Sequence, residues 1–251
     1  GVLAVRQKTS NFKLQISNLK SQTPRFTLHA SRLTPDLLAD YGIPTLPAAL
    51  ARDPAEAAAL AAQMGFPVAL KIASPNILHK SDVGGVRIGL GDEAAVRAGF
   101  EQIMRAARAA RPQAEILGAS VQRMAAPGQD VIVGAFQDAQ FGPLVMFGSG
   151  GVEVEGLRDV AFALAPLSRA DAEDLLERTW AGRKLRGYRN LPPADREAAL
   201  EALVRLAGLA ADHPELAEIE INPLRVMAHG AVAVDVRVVA NDKLQTSNHK
   251  P

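Results

Sequence analysis

The chain has 251 residues, with 28 Lys and Arg against 27 Asp and Glu, and this near balance provides no global field for nucleic acid or an anionic membrane. Its sequence contains no cysteine, which excludes disulfides, thiolate metal sites and thiol nucleophiles and suits a reducing cytoplasm. No apolar stretch approaches the roughly 18 residues that span a bilayer, so no membrane association is expected.

Both ends of the chain are predicted to lie outside the fold. Residues 1–32 are interpreted as a disordered tail or linker, because no acidic residue occurs before Asp36 and no helical or strand periodicity persists. A transit peptide is the alternative interpretation of this basic, acid-free start. The polar residues 241–251 are interpreted as a second tail.

A first lobe is predicted over residues 33–115. Two short helices are expected near its start, because each begins with a cap and an N1 proline and ends at a glycine. A buried strand, a returning strand and a long amphipathic helix then follow. The two short helices begin at Thr34-Pro35 and Asp53-Pro54, and the long helix begins at Asp92. The two strands are expected at Val68 to Ile72 and Val86 to Leu90.

A second lobe is predicted over residues 116–240. Strand signals separated by turn-rich segments predict an antiparallel meander, which is followed by two helices and a final strand pair. The three meander strands are expected at 118–124, 131–136 and 143–147, the helices at 168–179 and 193–210, and the last strands at 219–227 and 231–239. The order of elements predicts a mixed α+β fold of two lobes with a cleft between them.

Lys71 is the first candidate site residue. In the strand VALKI its side chain alternates away from the apolar neighbours, so it places an ammonium group on one face of an interior strand. A buried lysine is costly unless it meets an anion, which favours a phosphate contact. Taken alone, Lys71 is more simply a lysine whose ammonium reaches solvent at the strand end.

Two glycine-rich loops follow strands. Gly84-Gly85 lets backbone amides approach a ligand, and unpaired amides in such a turn suit phosphate oxygens, although a simple hairpin or bulge also explains the pair. The second loop, FGSGG at 147–151, precedes Glu153, Glu155 and Asp159. Together with Lys71, the two loops favour a nucleotide-phosphate site.

Glu220, Asn222 and Asp235 interrupt otherwise apolar strands near the C-terminus. Glu220 and Asn222 are two residues apart and so share one face, and Asp235 lies on the returning strand. Carboxylate and amide oxygens suit Mg²⁺, which takes further ligands from substrate phosphates. The alternative is an ordinary solvated sheet face.

Several segments together resemble the ATP-grasp subunit or domain of nucleoside-diphosphate-forming acyl-CoA synthetases, such as ADP-forming acetyl-CoA synthetase beta subunits, relatives of succinyl-CoA synthetase. The resemblance covers about residues 33–240, in order and with matching spacings. The segments that carry it are KIASPNILHKSDVGGV, VQRMAAPGQDVIVGAFQDAQFGPLVMFGSGG, VEGLRDVAFALAPLS and EIEINPL with VAVD.

The resemblance implies an ATP-grasp fold, ATP or ADP with Mg²⁺ as cofactors, and a role for each matched residue. Lys71 matches the lysine that contacts the nucleotide phosphates, and Gly84 and Gly85 match the flexible loop that covers them. The remaining matches are a hinge that reads the adenine edge (Val121, Gln122, Arg123 and Met124), a ribose contact (Asp130) and the Mg²⁺ region (Glu220, Asn222 and Asp235). Asp130 departs from the usual Glu, and Ser149 and Glu153 depart from the usual second loop.

His79 matches the histidine that carries the phosphoryl group in this family. Phosphoryl transfer needs mainly in-line placement and cations that absorb oxygen charge, and an imidazole nitrogen is a suitable nucleophile. Without the resemblance, a single loop histidine is most simply a solvated residue. Lys80 and Asp82 could orient the loop or the imidazole, or be solvated loop charges.

In this family CoA and the acyl group bind to a separate Rossmann-like portion, and the sequence contains no G-x-G-x-x-G strand-helix start. A CoA-binding partner subunit, or further domains of a longer chain, is therefore expected to complete an acid-thiol ligase. Two alternatives stay open: a nucleotide-sensing module of a multidomain protein acetyltransferase, and an ATP-grasp carboxylate-amine ligase, which has no need for His79.

Overall fold

The computed structural model describes residues 27–28, 33–77, 79–151 and 159–240. Its strands are β1 (Thr27–Leu28), β2 (Ala48–Ala51), β3 (Val68–Ala73), β4 (Val86–Leu90), β5 (Gly118–Arg123), β6 (Gly128–Asp138), β7 (Gly142–Ser149), β8 (Val160–Leu164), β9 (Leu216–Met227), β10 (Ala231–Ala233) and β11 (Val236–Ala240). Its helices are α1 (Leu33–Asp40), α2 (Pro54–Met64), α3 (Glu93–Ala110), α4 (Arg169–Glu177), α5 (Trp180–Lys184) and α6 (Arg196–Asp212). None of these helices is long and apolar enough to cross a bilayer.

The smaller lobe is a four-stranded antiparallel sheet in the order β2-β5-β3-β4, covered on one face by α2 and α3. Successive side chains of β3 point to opposite faces of the sheet. Val68, Leu70 and Ile72 pack into the core beneath the helices. Lys71 and its cross-strand neighbour Ser120 therefore occupy the opposite face. On this face Lys71 contacts Val234 of the larger lobe.

The larger lobe is built on a seven-stranded sheet in the order β1-β11-β9-β6-β7-β8, with β10 paired to β9. Helices α4, α5 and α6 cover one face and bury its largest apolar cluster. The other face carries polar side chains and is the surface on which the candidate site lies.

A β-bulge controls which residues of β9 reach that polar face. Val131 of β6 pairs with Leu224, whereas Val133 pairs with Ile221, so two residues of β9 oppose one residue of β6. The extra residue reverses the alternation along β9. Consequently Asn222 and Arg225, three residues apart, both lie on the polar face, while Leu224 packs into the core.

The strand pairing corrects the predicted boundary between residues 115 and 116. β5, predicted as the first strand of the second lobe, pairs with β2 and β3 in the smaller sheet. At the other end, Leu38 and Ile43 pack into the core of the larger lobe, and Thr45 bridges to Ala233. The smaller lobe therefore comprises residues 48–123. Hydrophobic pattern alone cannot choose between two sheets that a strand could join.

Most predicted elements are confirmed, with shifted ends. Ser168 caps α4 in a capping box, and β3 and β4 form the expected antiparallel pair. The final strand predicted over 231–239 is broken into β10 and β11, and the break contains Asp235. Strands β2 and β8 and helix α5 were not predicted. In the predicted N-terminal tail, Thr27–Leu28 pair with β11, and the rest of residues 1–32 and residues 241–251 lie outside the described part.

Asp195 is expected to make the stability of the larger lobe depend on pH. Its carboxylate caps α6 by accepting from the Ala198 amide at 3.0 Å, and it also accepts from the Gly230 amide at 2.7 Å. These backbone bonds, that of Gly230 first, lower the pKa of Asp195 below its ordinary value of 3.8. A lowered folded-state pKa stabilises the protein above that ordinary value, and the contribution is lost as the pH falls through the folded-state pKa.

We therefore expect Asp195→Ala to reduce the free energy of unfolding at pH 7 by about 1 kcal/mol, the usual effect of losing a cap. The difference from the wild type should be smaller at pH 3, below the ordinary value of 3.8, because the unfolded carboxylate binds protons there more readily than the folded one. Urea unfolding at both pH values measures this. An equal loss at both would contradict a role for the charge.

Candidate active site

The two lobes meet where Lys71 and Gln122 face the break between β10 and β11. The Lys71 Nζ atom donates to the Val234 carbonyl at 3.0 Å, and the Gln122 Nε2 atom donates to the same carbonyl at 3.1 Å. Both donors lie on the open face of the smaller sheet, because Ala69 pairs with Gln122 and Lys71 with Ser120. The sheet break thus exposes one carbonyl that two side chains of the other lobe share.

Asp235, next to this carbonyl, is flanked by two lysines. Its Oδ1 atom lies 3.6 Å from Lys71 Nζ and 3.5 Å from Lys80 Nζ. The side chains of Lys71 and Lys80 are 15% and 18% exposed, whereas that of Asp235 is 45% exposed. Burial lowers the pKa of Lys71, and the Asp235 charge opposes that shift. A cationic corner therefore lines the cleft, as expected for an anionic ligand.

His79 lies on the segment that carries Lys80, in what we call the histidine loop (residues 79–85), between β3 and β4. The His79 side chain is exposed, and no hydrogen bond or ion pair joins it to another described residue. Ile77 before the loop and Val83 within it are buried, so they anchor the segment on both sides of the exposed residues. The imidazole is thus presented to solvent, and the next residue in the chain, Lys80, reaches the cationic corner.

The backbone amides of Gly84 and Gly85 are not free for phosphate in this conformation, contrary to the expectation from sequence. Gly84 N donates to the Ser81 carbonyl at 3.0 Å, and Gly85 N donates to the Lys80 carbonyl at 2.8 Å. Gly84 has a φ of +64°, which favours glycine. The pair therefore closes the histidine loop as a turn, and its two amides hold the backbone of Lys80 and Ser81.

Gly85→Ala is expected to destabilise this turn strongly. An added Cβ would lie 2.6 Å from Ile72 Cγ2 and 2.9 Å from the Lys80 carbonyl oxygen, so the loop must move away from β3. We expect a loss of about 1 to 3 kcal/mol in the free energy of unfolding, as for other overpacked sites. Gly91→Ala is the matched control, because nothing lies within 4 Å of its added Cβ. Urea unfolding of both variants measures the difference, and equal stabilities would contradict the close approach.

The second glycine loop contacts the predicted metal region. Gly151 N donates to Asn222 Oδ1 at 2.9 Å, and Asn222 Nδ2 lies 3.5 Å from Glu220 Oε1. The backbone N–H of Asn222 donates to the backbone carbonyl of Asp235 at 3.0 Å, which places the two residues side by side. The three predicted ligands thus lie at one corner of the sheet. Glu153 and Glu155 lie outside the described residues.

Asp159, noted in the sequence after this loop, anchors the loop to α5. Its carboxylate accepts from the Ser149 hydroxyl at 2.8 Å and from the Trp180 and Ala181 amides, each at 2.7 Å. Three donors to one carboxylate leave it little capacity for a ligand. We therefore assign Asp159 a structural role in holding the start of the second glycine loop.

Asp130 has a protein partner at the position where a ribose contact was predicted. It forms a two-pronged ion pair with Arg225, its cross-strand neighbour on β9. Arg225 also donates to the Ala126 carbonyl at 3.4 Å. Nothing in the sequence marked Arg225, because the bulge that brings it to the polar face depends on strand register.

The predicted hinge, residues 121–124, is divided among three environments. Val121 is fully buried in the core of the smaller lobe, Gln122 faces Val234, and Arg123 is exposed. Met124 N donates to the Pro67 carbonyl at 3.2 Å, so this amide is already paired. A role of this segment in reading a base edge stays a prediction.

Among residues 27–28, 33–77, 79–151 and 159–240, no three His, Cys, Asp or Glu side chains are grouped as a metal site. The predicted set contains only two carboxylates, those of Glu220 and Asp235, and the Asn222 amide. Such oxygen donors suit Mg²⁺, which commonly binds through one or two carboxylates and completes its shell with water and substrate phosphates. The corner therefore fits a partial Mg²⁺ site.

Comparison with known proteins identifies the family. The model of the ATP-grasp domain family matches residues 22–240. The chain is 41% identical over 204 residues to the acetate–CoA ligase (ADP-forming) I subunit beta of Pyrococcus furiosus. The aligned region covers 81% of this chain and 88% of that subunit. Other relatives are longer, and the chain spans about 30% of the length of one of them.

Solved structures of acetyl-coenzyme A synthetase 1 from Ca. Korarchaeum cryptofilum have the same fold. One, in complex with coenzyme A, Ca-AMPCP and HgCl+, has a TM-score of 0.81 and 39% identity, covering 91% of this chain and 99% of that one. Another is in complex with coenzyme A and Mg-AMPPCP, and its phosphohistidine segment points towards the nucleotide binding site. It has a TM-score of 0.69 and 40% identity, and the match covers 81% of this chain and 88% of that one. The chain therefore belongs to the ATP-grasp family, in the group that contains the beta subunits of ADP-forming acetate–CoA ligases.

Proposed function

We propose that this chain is the ATP-grasp component of an ADP-forming acyl-CoA synthetase and that it exchanges a phosphoryl group between ATP and His79. The observation that carries the proposal is the position of His79: its imidazole is exposed and unpaired among the described residues, next to Lys80, which contacts Asp235 together with Lys71. Phosphoryl transfer requires a nucleophile and cations that absorb charge on the phosphate oxygens, and the histidine loop carries the first one residue away from the second.

Each group of the corner has a chemical task in this proposal. An imidazole nitrogen of His79 attacks the terminal phosphorus, an N–P bond forms, the bond to the leaving oxygen breaks, and ADP departs. Lys71, held on a rigid strand, binds phosphate oxygens through charge-assisted hydrogen bonds. Glu220, Asn222 and Asp235 would hold Mg²⁺, which neutralises charge on the phosphate oxygens when it is bound.

The remaining half of the reaction is assigned to another protein portion. Forming acyl-CoA from a carboxylate requires sites for CoA and the acyl group, and the chain matches either a beta subunit or less than a third of longer relatives. We propose that a CoA-binding subunit, or further domains of a longer chain, takes the phosphoryl group from His79. The working protein is then a hetero-oligomer or a longer polypeptide.

Incubation with ATP labelled on the γ-phosphate and Mg²⁺ tests the proposal. The chain should acquire acid-labile, base-stable label, as expected for a phosphohistidine, and should make no acyl-CoA from acetate and CoA on its own. Absence of label, even with a competent CoA-binding partner present, would favour the nucleotide-sensing alternative. Robust acyl-CoA synthesis by the isolated chain would refute the need for a partner.

A further inference from the structure

Two ammonium groups compete for one oxygen atom of Asp235. Lys71 Nζ lies 3.6 Å and Lys80 Nζ 3.5 Å from the same Oδ1 atom. In the proposed function this carboxylate also binds a divalent cation. A cation on that oxygen would stand beside two like charges at short range, in a partly buried corner where screening is weak. A cation bound to that oxygen would therefore favour an arrangement in which at least one lysine has moved away.

The surroundings of the two lysines indicate which one leaves. Lys71 lies in the middle of β3, paired on both sides, and its ammonium also donates to the Val234 carbonyl at 3.0 Å. The Lys80 ammonium has no partner other than Asp235 among the described residues, and Lys80 belongs to a turn rather than a strand. Lys80 would consequently lose fewer contacts than Lys71 if it moved away from Asp235.

Displacement of Lys80 also affects His79, its neighbour in the chain. Within the histidine loop, the Lys80–Asp235 ion pair is a polar contact, shown by the described residues, that joins the loop to the larger lobe. Ser81 and Asp82 are exposed and have no side-chain partner among the described residues, so they do not hold the loop across the cleft.

We propose that Lys80 is a positioning residue: its ion pair with Asp235 holds the histidine loop against the larger lobe, and a cation on Asp235 releases it. This inference rests on the proposed function, since the cation is the one that accompanies ATP. Binding of the nucleotide together with its cation would thereby free the segment that must bring His79 to the phosphate. Sequence alone left Lys80 open between orienting the loop and being solvated.

Lys80→Met tests this through nucleotide binding rather than turnover. The affinity for AMP-PCP is measured by calorimetry at a series of free Mg²⁺ concentrations. Because the competing ammonium is gone, the Mg²⁺ concentration that supports half-maximal affinity should fall about fivefold, within the usual range of coupling between sites. Lys80→Arg should restore the wild-type value, and Asp82→Asn, which alters loop charge without touching the ion pair, should leave it unchanged.

Hydrogen exchange provides a metal-free measurement. The amides of Gly84 and Gly85 are bonded to the Ser81 and Lys80 carbonyls, so their exchange reports the closed turn. Without ligand, both should exchange several-fold faster in Lys80→Met than in the wild type or in Asp82→Asn.

Three results would overturn the inference or its basis. Weaker nucleotide binding by Lys80→Met at saturating Mg²⁺ would make Lys80 a phosphate ligand instead. Mg²⁺ dependence and exchange rates equal to the wild type would show that the ion pair holds nothing. If the wild-type chain binds no Mg²⁺–AMP-PCP at all, the proposed function itself fails, and this inference with it.

Discussion

His79→Ala is expected to reduce phosphoryl labelling of the chain by ATP at least about 100-fold, because it removes the proposed nucleophile outright. Nucleotide affinity should stay within about twofold of the wild type, since His79 is exposed and bonded to no other described residue. Rapid filtration after incubation with γ-labelled ATP measures the label, and calorimetry with AMP-PCP measures the affinity.

Two neighbouring variants make this result specific. Ser81→Ala and Asp82→Asn change exposed residues of the same loop and should retain most of the label. Label that persists in His79→Ala would place the phosphoryl group on another residue. Preserved ligation of a carboxylate to an amine by this variant would favour the carboxylate-amine ligase, whose chemistry does not use this histidine.

Lys71→Met is expected to weaken nucleotide binding by about 10- to 100-fold, the range for losing a hydrogen bond from a charged group to phosphate. The fold should tolerate the change, because the Val234 carbonyl keeps the Gln122 donor at 3.1 Å and Asp235 keeps Lys80 at 3.5 Å. Calorimetry with AMP-PCP and Mg²⁺ measures the binding, and urea unfolding measures the stability.

Arg108→Met is the matched control for Lys71→Met. Arg108 is an exposed cation of α3, so its loss changes net charge equally but should leave affinity within about twofold. A comparable loss of affinity in both variants would mean that overall charge, rather than the cleft position of Lys71, attracts the nucleotide. An unfolded Lys71→Met would instead assign the buried ammonium to the structure.

Local pattern determined much of the candidate site. The alternation of VALKI places Lys71 on the polar side of its strand, and the two-residue spacing of Glu220 and Asn222 places them on one face. Both inferences depend only on the period of a strand. His79 is different, because nothing in its local pattern distinguishes a nucleophile from a solvated histidine. The family resemblance supplied its role.

Tertiary structure decided which of these groups meet, because each answer depends on strand register and on contacts distant in sequence. The bulge in β9 brings Arg225 to Asp130. The residue predicted to contact the ribose is therefore already paired with an arginine. The break at Val234 and Asp235 gives Lys71 and Lys80 a common partner.

By itself, the sequence determined the periodicities, the helix caps and the family of this protein. It did not determine the lobe to which β5 belongs, since the pattern of β5 is compatible with either sheet. It also did not determine whether the Gly84 and Gly85 amides are free, since their partners are present only in the folded turn. Local preferences act within a few residues, whereas pairing and charge neutralisation in the cleft depend on segments more than a hundred residues apart.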